Sequence, residues 1–113
     1  MPTLITAIVK PFKVEEVKEA LKSAGIAGLT ASEVQGYGRQ MGKSEVFRGA
    51  EYKIDFVPKV KLEVLVESSR ADEIIDLIAK AAKADKIGDG KIWSVELGSL
   101  MRIRTGERGD EAL

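Results

Sequence analysis

Several β-rich segments and two amphipathic segments, in the order strand, helix, strand, strand, helix, strand, predict an α+β fold for this chain of 113 residues. Hydrophobic residues make up 44% of the sequence, which is enough for one modest core. The 18 basic residues balance the 18 acidic residues, so no overall charge favours nucleic acid or an anionic membrane. We therefore expect one domain over residues 1–113, in which any charged site is built locally.

The first half of the chain contains a strand, a helix and a weaker strand. Residues 4–10 are rich in β-branched side chains, and Pro11 ends this run. Over residues 13–24, apolar side chains recur at steps of three and four, which predicts an amphipathic helix closed by Gly25. Residues 29–38 read as a second strand that serine and glycine dilute.

The second half contains a clearer strand, a second helix and the closing strands. Along residues 59–67, aliphatic side chains alternate with lysine and glutamate, and Leu65 interrupts the polar side once. Residues 71–83 repeat the helical period. We expect closing strands over residues 92–97 and 100–103, and a frayed tail over residues 105–113.

This order of elements fits the ferredoxin-like, split βαβ arrangement, an antiparallel sheet with two helices on one face. The other face is then uncovered, and an uncovered sheet face in a chain this apolar suggests a partner. Identical chains packed sheet to sheet in a ring are one symmetric solution, so we expect a homo-oligomer without a subunit count.

Several classes of function are disfavoured by composition. The sequence has no cysteine and no histidine, which removes disulfides, thiolate ligands and the commonest general base, while oxygen ligands for Mg²⁺ remain. A small phosphatase of this fold needs a nucleophile or base, and no carboxylate pair stands out. An RNA-binding module needs aromatic side chains on the open sheet face, whereas the few aromatic residues are scattered. With no signal peptide and no run of about 20 apolar residues, we expect a soluble cytoplasmic protein.

Three clusters are candidates for ligand binding. Residues 86–91 form a glycine-rich turn with lysines, which suits a phosphate group but equally suits a tight turn with solvated lysines. Arg102 and Arg104 are two apart on a predicted strand and would share one face, as phosphate ligands or as a charged edge. Residues 38–40 and Lys59 lie at the two ends of a long segment without helical or strand period. They could hold a metal and a dicarboxylate, or be solvated loop residues.

Six strings in order resemble the PII family of signal-transduction proteins, the nitrogen regulators of bacteria and plastids. The resemblance covers almost the whole chain, and six strings at the family's spacing are far more specific than any one of them. The strings are 5–12 (ITAIVKPF), 36–40 (GYGRQ), 48–52 (RGAEY), 55–61 (DFVPKVK), 86–92 (KIGDGKI) and 102–107 (RIRTGE).

The resemblance implies a homotrimer of ferredoxin-like subunits that binds ATP or ADP in the clefts between subunits. It also implies that 2-oxoglutarate binds beside Mg²⁺-ATP at the base of a long T-loop, residues 38–56, with a phosphate-binding turn at 84–91 and a C-terminal segment at 102–113. The nucleotide-binding residues that it implies are Thr30, Gly38, Arg39, Glu63, Leu65, Gly88, Asp89, Gly90, Lys91, Arg102 and Arg104. Of these, Thr30, Glu63 and Leu65 match the adenine pocket. Gln40, Lys59 and Gly88 would bind 2-oxoglutarate, and Gln40 would also be the Mg²⁺ ligand.

The resemblance further implies a sensor that controls partner proteins through its T-loop, and not an enzyme. The implied partners are an ammonium transporter, a nucleotidylyltransferase, and enzymes or regulators of nitrogen assimilation; nucleic acid is not bound directly, and the membrane is reached only through the transporter. Arg48 matches the residue that enters the transporter pore, and Tyr52 matches the tyrosine that is uridylylated or adenylylated. The sequence does not choose among these partners or between the states of Tyr52.

The sequence departs from the family pattern at several positions. Phe47 stands where many members have a second tyrosine, and Ala50 where cyanobacterial members have a phosphorylatable serine, which excludes a switch at that position. Ala84 and Asp85 replace a common Thr-Gly pair before the phosphate turn. The Asp85 carboxylate would then either weaken nucleotide binding or face water.

Overall fold

The computed structural model of the protein describes residues 1–37 and 56–113. Its strands and α-helices are β1 (Pro2–Val9), α1 (Val14–Ser23), β2 (Thr30–Gly36), β3 (Val57–Glu67), α2 (Ala71–Ala82) and β4 (Ile92–Glu96). Short 3-10 helices cover Pro11–Lys13, Ser68–Arg70 and Gly109–Ala112. The order of elements agrees with the predicted one, except at the C-terminal end.

The sheet has the strand order β2-β3-β1-β4, and each strand is antiparallel to its neighbours. This is the ferredoxin-like topology predicted from the sequence. One face of the sheet packs against both helices. The fully or almost fully buried core consists of Ile5, Ala7, Val9, Val17, Leu21, Leu62, Val64, Val66, Ile74 and Ile78. These are the positions that the period of two in the strands and the period of 3.6 in the helices select.

The opposite face of the sheet carries exposed apolar side chains. Leu4 pairs with Leu65 on β3 and with Val95 on β4, and Thr6 pairs with Trp93. Leu65, Trp93 and Val95 are 39%, 46% and 51% exposed, respectively. We call this surface the open face. Exposed aliphatic and indole groups on a regular sheet are typical of a surface that packs against another protein surface.

The end of α1 is a Schellman motif centred on Gly25. The Gly25 N–H donates to Lys22 O, and the Ile26 N–H donates to Leu21 O. Gly25 adopts φ = 85°, which glycine tolerates without steric cost. Arg70, before α2, donates to Ala24 O at 3.1 Å and so ties the end of one helix to the start of the other.

The predicted strand over residues 100–103 is wrong. Met101 makes an isolated bridge with Arg108, and the chain between them turns back on itself. The Gly106 N–H donates to Arg102 O at 2.8 Å, and the Arg102 N–H donates to Glu107 O at 2.9 Å. These bonds close a turn, so Arg102 and Arg104 do not share the face of a strand. Local hydrogen bonding outweighs the alternating pattern here because, within residues 1–37 and 56–113, no strand pairs with this segment.

The prediction of a frayed tail is also wrong. Residues Gly109–Ala112 form a 3-10 helix, and the Leu113 N–H donates to Asp110 O. The terminal ammonium of Met1 lies 3.8 Å from Asp110 Oδ1. The tail is therefore held by backbone hydrogen bonds and by an exposed ion pair with the start of β1.

The segment between β2 and β3 was predicted as the T-loop, residues 38–56. Only Phe56 of that range belongs to the described residues. Its ring packs edge to face against Tyr37, with the centroids 5.7 Å apart. This aromatic pair brings the end of β2 close to the start of β3.

The turn before β4 approaches β1 closely at Gly90. A Cβ atom on Gly90 would lie 1.8 Å from the carbonyl oxygen of Ile8, which is backbone and cannot rotate away. The Ile8 N–H donates to Lys91 O at 3.0 Å, which extends the pairing of β1 with β4. Only glycine fits between the two strands at this point.

We expect Gly90→Ala to lower the free energy of unfolding by about 2 kcal/mol or more, because the backbone must shift to admit the methyl group. Chemical denaturation at fixed protein concentration measures this. Gly98→Ala is the matched control, since nothing lies within 4 Å of a Cβ atom at that position. Equal stability of the two variants would contradict the close approach.

Candidate functional site

Two cavities lie at opposite ends of β3, and between them they hold most of the predicted ligand residues that the structure describes. The turn cavity, of about 510 Å³, is lined by the 86–91 turn together with Lys59, Ile8, Tyr37 and Trp93. The edge cavity, of about 730 Å³, is lined by residues 25–30, 63–67 and the end of the tail. Lys59, in the turn cavity, and Glu63, in the edge cavity, are four residues apart on one strand, so these two residues are about 13 Å apart along β3.

Asp89 organises the 84–91 turn from within. Its Oδ2 accepts hydrogen bonds from the backbone N–H groups of Ala84 at 2.9 Å and Asp85 at 3.0 Å. The Ala84 bond is the largest cause of a lowered pKa for the Asp89 carboxyl, with the Asp85 bond and the Lys10 charge acting in the same direction and desolvation opposing them. Asp89 is thereby kept ionised, and its contacts lie within the turn and with Lys10.

Two lysines hold the carbonyl groups at the tip of this turn. Lys59 Nζ donates to Gly88 O at 2.7 Å, and Lys10 Nζ donates to Ile87 O at 3.3 Å. Lys10 Nζ also lies 3.8 Å from Asp89 Oδ1, a buried oxygen with no hydrogen-bond partner in the described part of the chain. At that distance the pair is an electrostatic contact and not a hydrogen bond. The ends of β1 and β3 therefore fix the turn from two sides.

The ammonium of Lys59 is unusually sheltered for a lysine. The residue is 8% exposed, and desolvation is the main cause of a lowered pKa, followed by repulsion from Lys10, while Asp89 opposes both. A buried cation near a second cation, with a cavity beside it, provides a favourable position for a bound anion.

Asp85 faces water and not the turn cavity. Its side chain is 76% exposed and lies 3.3 Å from Lys83 Nζ. The residue adopts φ = 59°, a left-handed conformation that glycine adopts more easily than aspartate. Of the two readings of this departure, the structure favours the solvated one.

The structure separates the predicted ligand residues into groups. Lys59, Gly88, Asp89, Gly90 and Lys91 line the turn cavity. Thr30, Glu63 and Leu65 line the edge cavity. Arg102 and Arg104 are on the C-terminal turn and line neither of these two cavities. Gly38, Arg39, Gln40, Arg48 and Tyr52 lie outside the described residues.

The sequence patterns did not predict that Lys10 contacts the 84–91 turn, or that the C-terminal residues Ala112 and Leu113 line the edge cavity. Lys10 follows β1 on the same side as Ile8, so the alternation of that strand was the signal that could have found it. Leu113 lines the edge cavity and accepts a hydrogen bond from Arg102 Nη2 at 2.6 Å. No local sequence pattern predicts the hydrogen bond between Arg102 and Leu113.

The fold and the paired cavities define a small α+β protein with a cationic turn suited to an anionic ligand. Comparison with known proteins identifies its family. Residues 2–107 match the family described as Nitrogen regulatory protein P-II. The chain is 56% identical over 110 residues to Nitrogen regulatory protein GlnK of Escherichia coli strain K12, covering 97% of this chain and 98% of the relative.

Two further relatives agree with this. Nitrogen regulatory protein P-II of Azospirillum brasilense is 52% identical over 109 residues, covering 96% of this chain and 97% of the relative. The crystal structure of Arabidopsis thaliana PII bound to citrate superposes with a TM-score of 0.82 at 35% identity, over 99% of this chain and 92% of that one. The chain belongs to the P-II family of nitrogen regulatory proteins and is a signalling protein of that kind.

Within residues 1–37 and 56–113, no helix is long and apolar enough to cross a membrane. The same residues contain no group of three or more acidic side chains placed to hold a metal ion.

We expect Lys59 to titrate below 10.5, the ordinary pKa of a lysine, and its pKa to rise in Lys10→Met because a repulsive charge is removed. Since the folded pKa is below the unfolded one, the charged form costs stability, and this cost disappears as the pH rises through the folded value towards 10.5. NMR titration of the lysine side chains measures both. In Lys13→Met, whose lysine pairs with Glu16, the pKa of Lys59 should not change; a shift equal to that in Lys10→Met would contradict a local effect.

We expect Asp89→Ala to lower the urea midpoint at neutral pH more than Asp89→Asn, because the asparagine oxygen can still accept from Ala84 and Asp85. Because the pKa of Asp89 is lower in the folded protein, its charge stabilises the fold at pH values above 3.8, the ordinary pKa of an aspartate. This stabilisation is lost as the pH falls through the pKa of Asp89 in the folded protein. The advantage of wild type over Asp89→Asn should therefore shrink in acid. Parallel pH curves for the two proteins would contradict the role of the charge.

Proposed function

We propose that this chain forms a homotrimer that senses ATP, ADP and 2-oxoglutarate in clefts between its subunits and controls partner proteins through residues 38–56. The observation that carries the proposal is that the residues predicted to bind ligands line two separate cavities on one chain. The turn cavity has the cationic groups that phosphates and carboxylates require. The edge cavity combines apolar side chains with the charged side chains of Glu63, Glu67 and Arg70, a mixture that can hold the flat apolar ring of a base and its polar edge.

A homotrimer is supported by the open face. Leu65, Trp93 and Val95 expose apolar surface to water, and packing the sheets of identical subunits against one another in a closed ring would bury it. In such a ring, the turn cavity of one subunit can lie beside the edge cavity of the next. The turn cavity of one subunit and the edge cavity of the next would then form one complete binding site. This would explain why each chain has two separate, partial sites.

The proposed ligand roles follow from the donor groups available. In the turn cavity, Lys91 and the backbone of residues 88–90 would hold phosphates, joined by Arg39, Arg102 and Arg104. Lys59 would pair with a carboxylate of 2-oxoglutarate. The described residues offer no acidic cluster for a metal, so Mg²⁺ would be held by the nucleotide phosphates, by Gln40 and by 2-oxoglutarate itself.

The mechanism that we propose is thermodynamic linkage. If 2-oxoglutarate binds only where Mg²⁺-ATP completes its site, then Lys59 binds the dicarboxylate well in the ATP form and poorly in the ADP form. Lys59 already donates to Gly88 O, and an ammonium group has further hydrogens to donate to a carboxylate. Coupling of this kind is typically about 1–3 kcal/mol, enough to change the state of an exposed segment.

The proposed output is binding to partners in nitrogen metabolism, in the cytoplasm and without catalysis. An ammonium transporter would be contacted through Arg48, and a nucleotidylyltransferase would act on Tyr52; enzymes or regulators of nitrogen assimilation are further partners. Nucleic acid is not a proposed partner, and the membrane is reached only through the transporter. The alternatives are a related sensor with another ligand or partner set, and slow ATP hydrolysis in the cleft.

Calorimetric titration of 2-oxoglutarate in the presence of Mg²⁺-ATP, Mg²⁺-ADP or no nucleotide tests the proposal. We expect binding only with Mg²⁺-ATP, and a particle mass near three times the 12.3 kDa of the chain by light scattering. Lys59→Met should weaken 2-oxoglutarate binding by about 10- to 100-fold, the effect of losing one charge-assisted hydrogen bond.

Two control variants make the result specific. Lys80→Met removes an exposed lysine from α2 and should leave both ligands bound normally. Asp85→Asn should change ATP affinity by less than about twofold, because that carboxylate faces water and is paired with Lys83. Binding of 2-oxoglutarate that is indifferent to the nucleotide, or unaffected by Lys59→Met, would contradict the proposed site.

A further inference from the structure

Arg102, which is proposed to bind phosphate, is hydrogen-bonded to residues of the C-terminal segment. Arg102 Nη1 donates to Glu107 Oε1 at 2.9 Å, and its Nη2 donates to Leu113 O at 2.6 Å. Both terminal nitrogens of the guanidinium are therefore engaged by the chain's own oxygens. The guanidinium has five N–H donors, but a phosphate that binds the Nη1–Nη2 edge bidentately has to approach the same two nitrogens that Glu107 and Leu113 contact.

Glu107 is held in this position by its own turn. Thr105 Oγ1 donates to Glu107 Oε1 at 3.0 Å, and the Arg102 N–H donates to Glu107 O at 2.9 Å. Gly106, with φ = 77°, provides the backbone conformation that brings the chain back. The carboxylate thus sits beside the guanidinium and neutralises its charge where an anion would approach.

The same tail reaches the edge cavity. Ala112 and Leu113 contribute to the lining of that cavity, together with the predicted adenine-pocket residues Thr30, Glu63 and Leu65. Since Leu113 O also accepts from Arg102, one short segment touches both a proposed phosphate ligand and the proposed base pocket. This juxtaposition is not a consequence of the sheet, because the tail follows the last strand.

We propose that residues 107–113 are an internal competitor of the nucleotide, with Glu107 as the residue that sets the affinity. The inference rests on the proposed function, in that Arg102 is taken to bind phosphate. Binding of a nucleoside triphosphate then exchanges the Glu107 and Leu113 contacts of Arg102 for phosphate oxygens, and the tail leaves the edge cavity. Affinity for the nucleotide is lowered by the strength of these internal contacts.

The size of the effect follows from exposure. The side chains of Arg102 and Glu107 are 38% and 45% exposed, so their ion pair is screened by water and is individually weak. We expect Glu107→Gln to bind Mg²⁺-ATP about two- to fivefold more tightly than wild type, the range that exposed ion pairs support. Glu111→Gln is the matched control, since it removes the same charge from an exposed position on the tail.

Calorimetric titration of Mg²⁺-ATP into full-length wild type, Glu107→Gln and Glu111→Gln tests the inference. Hydrogen exchange at the Leu113 amide, which donates to Asp110 O in the free protein, reports whether the tail moves. Tighter binding by Glu107→Gln alone, with faster exchange at Leu113 when ATP is added to wild type, supports it. If wild type binds ATP and Glu107→Gln binds no more tightly, the internal competition is overturned while the proposed function stands. If none of the proteins binds ATP, both are overturned. An equal gain in Glu111→Gln would reduce the effect to general charge and would also overturn the specific role of Glu107.

Discussion

The arrangement of the site depends on the close approach of Gly90 to the backbone of β1. The Ile8 carbonyl oxygen occupies the space that any side chain at position 90 would need, and the adjacent Ile8 N–H donates to Lys91 O. This contact fixes where β4 begins beside β1, and it holds the turn of residues 84–91 over the ends of β1 and β3. Lys10 and Lys59 then lie within reach of its carbonyl groups.

A cationic site arises in this way in a chain with no net charge. Lys10 and Lys59 repel each other, as the lowered pKa of Lys59 indicates, and what holds them is a pair of consecutive carbonyl dipoles together with the ionised Asp89. The turn therefore carries an electrostatic cost in the free protein. An anion bound in the turn cavity would relieve part of that cost, and its affinity would come from the positions of the two lysines and not from the composition of the chain.

Periodicity was sufficient to predict β1, β3 and both helices, because each of them buries one regular side against the core. It failed at residues 100–103, where apolar side chains on both sides of Arg102 are compatible with a strand, but none of the strands among the described residues pairs with this segment. Ile103, which the pattern would bury, is 96% exposed. Contacts such as Lys10 to Ile87 O join residues 77 positions apart, and no local pattern contains that information.

The two cavities and the C-terminal turn together indicate how the chain would adjust its affinity for the proposed nucleotide. Arg102 is committed to Glu107 and Leu113 in the free chain, while Leu113 also lines the edge cavity. Since the contacts are exposed and weak, they can lower the affinity of a competing ligand without preventing its binding. Linkage makes the relation reciprocal: whatever binds Arg102 changes the position of the tail, and whatever holds the tail changes the affinity at Arg102. A protein that must respond to changes in ligand concentration, and not remain saturated, gains from such a balance.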